Sequence, residues 1–443
     1  MSKMKWLAHK LLWLVFATLP FTYALTLKIG FPLKIYELAC IFLIPTLFVL
    51  GCLNGSLKVK LNRAEKKMFY ILGLFLLVYI ISAVLGLRKL YVELDAFPAW
   101  AVGRFHPIAG SIFKVAYLIF DILLFLIILR YSKSRLDYYI KAWLVGGILA
   151  SIYTWYLFTY SIFGLHPFLL PGMKEPLQVI GGFSGESIIR SGTFLEGNFM
   201  GAYLLLSVVL CLYMFDLIRS KWYLFFALFF SVTLLTTFST INILLLVAVL
   251  SMYFLHIVSR NFDGLHKPVL LGASFIGILI CLFAASKSRY VQKHVFLKLF
   301  NPSESKIERL NHAITGLRIF SEYPLTGVGP GNYGFYYPVY QVMDDVMERN
   351  DRKKIPNNIY VELLSESGII GFLSMLLFIS ILLRKFRNTS HRRNFSLFLG
   401  MISICLLWMA YPTFLITFQW VYFAVCYLAF TSKNDNRQCF LNA

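Results

Sequence analysis

Long apolar runs alternate with short polar segments over most of the 443-residue chain. A helix needs about 20 residues to cross a hydrocarbon layer of roughly 30 Å, and about a dozen runs are long enough. The first run contains Pro20 and is followed at once by a second run, which favours a retained span over a cleaved signal peptide. The pattern predicts transmembrane helices near 11–27, 35–53, 68–86, 111–129, 138–163, 197–218, 222–238, 241–258, 268–286, 357–383, 394–412 and 413–431.

Composition supports an integral membrane protein. Hydrophobic residues make up 59% of the chain and charged residues 14%, and the mean hydropathy is +0.71. A soluble domain could not bury that much apolar surface in one core. The net charge of +21 does not indicate nucleic-acid binding, because lysine and arginine lie mainly in short loops between apolar runs. We therefore expect an all-α, polytopic membrane protein.

Basic residues are concentrated in every second loop, which is the distribution expected of cytoplasmic loops. This predicts that both termini are cytoplasmic and that the long loops share the outer face. The expected organisation is helices 1–9 within 1–286 with outer loops near 87–110 and 164–196, a large outer loop at 287–356, and helices 10–12 with a cytoplasmic tail in 357–443.

The large outer loop is expected to contain two short helices. Apolar residues at helical spacing predict an amphipathic helix that lies against the membrane or the bundle. The glycine-rich segment 327–331 lacks the Gly-Lys-Ser/Thr of a phosphate-binding P-loop, so a turn between helices is the better interpretation. The charged run 344–354 is interpreted as a solvated loop, with a docking site for a partner as the alternative. The apolar positions are Leu310, Ile314, Leu317 and Phe320.

The cysteines do not indicate a disulfide framework or a metal site. All seven lie in predicted spans or in the C-terminal tail, and none lies in a predicted outer loop. Cysteine and histidine also lack the spacing of a metal site. We therefore expect neither a metal nor another cofactor.

Three separated polar elements precede or follow the predicted spans. The first is Arg190-x-Gly-Thr-Phe-x-x-x-Asn198, which stands before a span. The second runs from Arg309 to Pro-Leu-x-Gly-Val-Gly-Pro-Gly-Asn332, and the third begins at Asn358 as Asn-x-Tyr-x-x-Leu-Leu-x-Glu-x-Gly-Ile-Ile-Gly. In their motifs, order and predicted topology these elements resemble the bacterial O-antigen ligase and polymerase family, whereas the amino-terminal half is similar to it in hydropathy alone. For such a protein, the partner that could dock on the charged run 344–354 would be a chain-length regulator.

The resemblance implies a GT-C-like membrane glycosyltransferase that uses undecaprenyl-diphosphate-linked oligosaccharide among the membrane lipids, at the outer face of the bacterial inner (plasma) membrane. It implies that Arg190 and Arg309 bind the diphosphate and stabilise the leaving group. Arg318 is a third candidate, although its spacing equally suits the solvent face of the amphipathic helix. Arginine suits this task because its planar fork stays charged and donates paired hydrogen bonds. The other substrate-binding candidates are Asn198, Gly329, Gly331, Asn357 and Asn358.

One departure from the family favours a polysaccharide polymerase. Ligases of the family carry a histidine immediately before the third element as the base for the acceptor hydroxyl, whereas this chain has Asn357. Asparagine cannot accept a proton at neutral pH, so extension of lipid-linked repeat units is preferred to transfer onto lipid A core or another acceptor. Candidate bases elsewhere are His312 and Glu196, with Glu186, Glu308 and Glu322 as further alternatives.

A polysaccharide transporter or flippase is the other alternative. Such a protein would more often show charged residues in mid-span and structurally related halves. Asp121 is the one clear mid-span carboxylate in the predicted spans, and no internal repeat is evident. An enzyme is therefore the preferred interpretation.

Overall fold

The structure is a computed structural model that describes residues 2–29, 31–53, 63–92, 106–174, 177–181, 187–261, 304–342, 354–387 and 391–431. Most of these residues are helical, and their strands form two small antiparallel hairpins, Leu27–Ile29 (β1) with Phe31–Leu33 (β2) and Val179–Gly181 (β3) with Ser187–Ile189 (β4). The predicted span 268–286, most of the charged run 344–354 and Glu186 lie outside the described residues. The all-α prediction is confirmed.

The described helices are α1 (Ser2–Thr18), α2 (Ile35–Leu53), α3 (Arg63–Val92), α4 (Pro107–Tyr131), α5 (Leu136–Ile162), α6 (Gly197–Ile218), α7 (Trp222–Leu235), α8 (Thr240–Asn261), α9 (Glu304–Glu322), α10 (Tyr333–Tyr340), α11 (Ile359–Arg387), α12 (His391–Leu407) and α13 (Thr417–Thr431). In this described part, 7 helices are long and apolar enough to cross a membrane: α2, α3, α4, α5, α6, α8 and α11. The apolar helices α7 and α13 are shorter, and α12 continues into a short 3₁₀ turn. The chain is therefore a polytopic membrane protein.

Two of the predicted spans were extended wrongly past a proline. Helix α1 ends at Thr18 instead of continuing to residue 27. Helix α12 ends at Leu407, and a non-helical stretch that contains Pro412 separates its 3₁₀ turn from α13. Pro20 and Pro412 have no backbone N–H to donate to a helix, and the proline ring clashes with the preceding turn. The apolar pattern continues through both sites, so hydropathy alone places the ends too far along the chain.

Helices α6 and α13 form the centre of the bundle, and nearly every residue of both is buried. Trp143 of α5 stacks on Tyr203 of α6 with ring centroids 4.9 Å apart, and Phe418 of α13 meets Tyr203 edge-on at 5.7 Å. Outer helices instead expose large apolar side chains such as Phe48 and Val84. This is the surface expected of helices that contact lipid.

Helix α9 confirms the predicted amphipathic helix, but its inward face is mostly polar, with Ile319 as a buried apolar residue. Asn311, His312 and Thr315 are buried, whereas Leu310 and Leu317 are 53% and 48% exposed. Burying polar groups is tolerated when they are hydrogen bonded, and the Asn311 amide donates to a tyrosine hydroxyl of α10 at 2.9 Å. The apolar side of α9 therefore faces away from the bundle, where it can meet the membrane.

Helix α11 is kinked at Gly368, whose φ of 64° and ψ of −170° are not helical. Beyond the kink, the Ile369 N–H donates to the Pro324 carbonyl at 2.8 Å instead of to the carbonyl four residues earlier. The kink therefore releases carbonyl groups at Ser365 and Glu366 from the helical ladder. Those carbonyls need other donors, because an unsatisfied polar group is costly in an apolar environment.

The glycine-rich turn supplies these donors. The Val328 N–H donates to the Ser365 carbonyl and the Gly329 N–H donates to the Glu366 carbonyl, each at 2.9 Å. The turn also joins α9 to α10, as the sequence predicts. It is thus bonded into α11 as a fixed part of the bundle.

Close backbone packing holds the other side of the turn. A Cβ on Gly86 of α3 would lie 2.1 Å from the Val328 carbonyl oxygen. A Cβ on Gly331 would lie 3.0 Å from the backbone of Gly110 in α4. Ser111 donates a hydrogen bond to the Pro330 carbonyl at 2.6 Å. The glycines are therefore needed for contact between the turn, α3 and α4.

Two glycine substitutions in α3 test this packing. We expect Gly86→Ala to lower the free energy of unfolding by about 1–3 kcal/mol, because the added methyl group overlaps the backbone of the turn. Gly73→Ala is the matched control, since a Cβ at Gly73 has nothing within 4 Å and alanine favours the helix by about 1 kcal/mol. Thermal unfolding of the purified protein in detergent would compare them. Equal stability of both variants would contradict the packing of the turn on α3.

Candidate functional site

The three sequence elements meet at one end of the bundle. The Arg190 element leads directly into α6, and the glycine turn contacts the end of α3 and the starts of α4 and α11. The start of α8 and the segment after α12 reach the same end, because both contact the first residues of α6. The described ends of the three long loops, which charge patterning assigns to the outer face, therefore lie at the same end of the bundle.

The residues of the Arg190 element build a tight loop against neighbouring helices. Thr193 donates its hydroxyl proton to the Pro20 carbonyl at 2.7 Å, and its own carbonyl accepts the N–H of Tyr23 at 3.1 Å. Gly192 has a φ of 58°, and a Cβ there would lie 2.5 Å from the Thr154 hydroxyl. The phenyl ring of the element is buried against Tyr203 and Phe418. These contacts fix the backbone on both sides of Arg190.

Asn198 is the centre of a hydrogen-bond network that orients Arg190. Its side-chain oxygen accepts Nη2 of Arg190 and Oγ of Ser239, both at 3.0 Å. Its backbone carbonyl accepts Nδ2 of Asn242 at 2.9 Å and the hydroxyl of Tyr411 at 2.7 Å. The contacts of Asn198 are those of a positioning residue, and its predicted substrate contact stays a prediction. Sequence analysis missed Ser239 and Asn242, although they are polar residues at the start of an apolar span.

Glu196 is within electrostatic range of two arginines from different elements. Burial raises the pKa of the Glu196 carboxyl above its ordinary value, while the positive charges of Arg190 and Arg309 oppose the rise. Arg190 is half-buried before α6, whereas Arg309 is exposed on α9. The two arginines predicted to bind diphosphate therefore both act on the charge of one carboxyl group.

Arg318 does not join this pair. It is exposed on α9, nine positions after Arg309. At 3.6 residues per turn, that separation places the two side chains on roughly opposite sides of the helix. The buried face of α9 lies between the two arginines. A ligand bound by Arg309 near Glu196 therefore cannot also contact Arg318.

His312 lies beside Asn357. Nδ1 of the His312 ring is 3.5 Å from the Asn357 amide nitrogen and 2.8 Å from the Ile355 carbonyl oxygen. A carbonyl only accepts hydrogen bonds, so Nδ1 carries the proton and Nε2 remains as the basic nitrogen. Nε2 is 4.0 Å from a carboxylate oxygen of Glu308. A histidine from α9 therefore lies next to Asn357, the position at which ligases of the family carry histidine. The preference for a polymerase, as far as it rests on Asn357 alone, is weakened.

Three further candidates make contacts that stabilise the local structure. Asn358 is the N-cap of α11, and its side-chain oxygen accepts the N–H groups of Tyr360 and Val361 at 3.0 and 3.3 Å. Gly329 and Gly331 are buried in the turn with positive φ angles of 91° and 81°. Substrate contact by these residues stays a prediction.

A buried ion cluster near this end was not predicted. Nζ of Lys114 in α4 is 2.5 Å from Glu362 and 2.6 Å from Glu366, both in α11, and the two carboxylate side chains are almost fully buried. Two residues four apart on a helix share a face, so one ammonium can reach both. Both glutamates lie near the start of α11, so they are separate from the mid-span carboxylate Asp121 of α4. In the described part of the chain, no cluster of three or more histidine, cysteine or acidic residues suits a metal ion.

The Asn198 network gives a stability test. Asn198→Asp keeps oxygen acceptors for Arg190 and Ser239, and its charge is matched by the arginine, so we expect stability near that of the wild type. Asn198→Leu leaves buried donors without an acceptor and should cost about 1–3 kcal/mol. Thermal unfolding of both variants in one detergent would separate them. The same large loss in both would show that Asn198 does not act as the acceptor.

Comparison with known families agrees with the motifs. Residues 224–376 match a family model described as O-antigen ligase. No curated protein matches the chain. The matched segment runs from α7 into α11 and contains the second and third sequence elements, whereas the Arg190 element precedes it. The family resemblance is confirmed, in that residues 224–376 of this polytopic all-α membrane protein match the O-antigen ligase family model.

Proposed function

We propose that the protein is a polysaccharide polymerase of the inner membrane. It transfers a growing glycan from undecaprenyl diphosphate to the next lipid-linked repeat unit at the outer face. The observation that carries the proposal is that Asn198 orients Arg190 at the end of the bundle to which α9 brings Arg309, and that both arginines act electrostatically on the partly buried Glu196 carboxyl. Two guanidinium groups suit a diphosphate because each donates charge-assisted hydrogen bonds in a planar fork.

The transfer needs stabilisation of the leaving group. The acceptor hydroxyl oxygen attacks the anomeric carbon, and the bond from that carbon to the phosphate oxygen breaks. The electron pair leaves with undecaprenyl diphosphate. Fixed positive charges at Arg190 and Arg309 stabilise the charge that develops there, which is electrostatic catalysis. The network around Asn198 holds Arg190 in place before substrate arrives, so less reorganisation is needed.

Glu196 is the preferred acceptor for the hydroxyl proton. Burial already raises the pKa of its carboxyl. A diphosphate bound beside Arg190 and Arg309 would raise that pKa further, because a second negative charge disfavours ionisation. The carboxylate is therefore suited to take up the proton as the acceptor oxygen attacks, and the proton ends on Glu196.

A ligase that moves glycan to lipid A core or another acceptor is the second candidate. It is favoured by one observation, the position of His312 beside Asn357. In that case Nε2 of His312 would be the general base. The two functions therefore assign the proton to different residues, which makes them separable by experiment.

The arginines provide the first test of activity. We expect Arg190→Lys and Arg309→Lys to lower polymer formation by about ten- to a hundredfold, because lysine keeps the charge but loses the fork, worth about 1.5–3 kcal/mol for a charged hydrogen bond. Arg318→Lys is the matched control on α9 and should keep near wild-type activity. Polymer ladders from cells with equal protein levels would be compared. Wild-type ladders from both Arg190→Lys and Arg309→Lys would refute diphosphate binding by these residues.

Reconstitution distinguishes polymerase from ligase. The purified protein, given only undecaprenyl-diphosphate-linked repeat units, should produce longer lipid-linked chains without lipid A core. Glu196→Gln should lower this rate by about 10²–10⁴-fold, the usual loss on removing a general base, whereas His312→Gln should retain most of it. Product that forms only when lipid A core is added, with the large loss in His312→Gln, would instead establish the ligase.

A further inference from the structure

A cavity of about 560 Å³ lies at the end of the bundle opposite the candidate site, between α1, α2 and α4. Its position follows from the helix directions. Lys5 and Ala8 near the start of α1 line it, whereas the end of α1 reaches the Arg190 element through Pro20. On α4 it is lined by Leu123 and later residues, well beyond the site-facing start of that helix. The cavity is therefore separate from the arginine site.

The body of the cavity is apolar. Its floor is formed by Ala8, Leu12, Leu43 and Leu47, all of which are buried. Ordered water is not expected on this apolar floor, because the floor offers few hydrogen-bond partners. The volume is within the range of roughly 300–1,000 Å³ that is usual for ligand sites. The floor suits a hydrocarbon chain.

One side of the cavity opens toward the surface where lipid is expected. Ile44 and Phe48 of α2 and Leu123 of α4 line the cavity and are 42%, 61% and 45% exposed. These side chains form an apolar entrance between two helices of membrane-spanning length. A hydrocarbon chain can therefore enter sideways from the bilayer without crossing a polar surface.

The mouth of the cavity is basic. Lys5, His9 and Arg130 line it, and the described lining residues include no aspartate or glutamate. Lys5 and Arg130 are exposed, so their charged groups can meet a ligand at the membrane surface. His9 is held in the wall by a hydrogen bond to the Tyr139 hydroxyl. The basic mouth is complementary to an anionic group attached to a hydrocarbon chain that lies in the cavity.

We propose that the cavity binds an anionic phospholipid of the surrounding bilayer. Its phosphate lies between Lys5 and Arg130, and one acyl chain lies on the floor of Ala8, Leu12 and Leu43. Charge patterning predicts that this end is cytoplasmic, where basic pockets between membrane helices meet anionic headgroups. The bound lipid fills the gap between α1, α2 and α4 and stabilises their packing, independently of glycan transfer.

Photolabelling locates the acyl chain without any substitution. Phosphatidylglycerol with a photoreactive group on its acyl chain is added to the purified full-length protein in detergent. We expect labelled peptides from α2 around Leu43–Leu47 and from α4 around Leu123–Ile127, with competition by unlabelled phosphatidylglycerol. Labels spread evenly over the exposed faces of α2, α3 and α7 would overturn the proposal.

Binding affinity tests the headgroup. Phosphatidylglycerol should raise the unfolding temperature of the wild type at lower concentration than phosphatidylcholine does. The double variant Lys5→Gln/Arg130→Gln should need about thirtyfold more phosphatidylglycerol, as expected for losing two surface charges worth about 1 kcal/mol each. Lys133→Gln/Lys141→Gln removes two exposed charges at the same end but outside the cavity, and its affinity should stay that of the wild type.

Three results would overturn the proposal. One is an equal effect of phosphatidylcholine and phosphatidylglycerol on the wild type, which would show that the headgroup charge is not recognised. Another is an equal loss of affinity in the two double variants, which would indicate a general effect of net charge. The third is full stabilisation by glycerol phosphate, which has the headgroup without the acyl chains, because the site would then bind a free anion.

Discussion

The exchange of backbone hydrogen bonds between the kink of α11 and the glycine-rich turn is the interaction on which the site depends. Gly368 takes the chain out of the helical ladder, and the turn supplies the donors that the ladder loses. Neither segment could keep this shape alone within a membrane, where backbone groups must find partners inside the protein. Their pairing fixes α9 beside α11. Helix α9 thereby places Arg309 and His312 at the end of the bundle where α6 begins.

Charge in this protein is arranged in two different ways. Lys114 is paired with Glu362 and Glu366 inside the bundle, where breaking such a pair would leave a buried charge without compensation. Arg309 and Glu196 instead remain accessible enough to meet a ligand, and Arg190 is oriented by a neutral asparagine oxygen. A neutral acceptor holds the guanidinium without cancelling its charge. Asn198 thus adds no negative charge to that of Glu196 near the two arginines.

The sequence was sufficient for much of the architecture and for part of the site. Span length and the glycine turn are local properties, so α2, α6 and the joint between α9 and α10 could be predicted. The Lys114 cluster and the Asn242 contact join helices that are distant in sequence, and no local pattern encodes such partners. The apolar periodicity of α9 correctly predicted a helix, but hydropathy could not tell that its polar face is the one packed inward.

The inverted amphipathicity of α9 has a consequence for the loop that contains it. Its buried polar residues rely on α10 and on the segment before α11, while Leu310 and Leu317 point outward. Excised from the bundle, the loop would lose the carbonyl partners of its turn and would present an apolar stripe to water. It is therefore not an autonomous folding unit. Substitutions at its base therefore have to stay compatible with the spans against which the glycine turn and α9 pack.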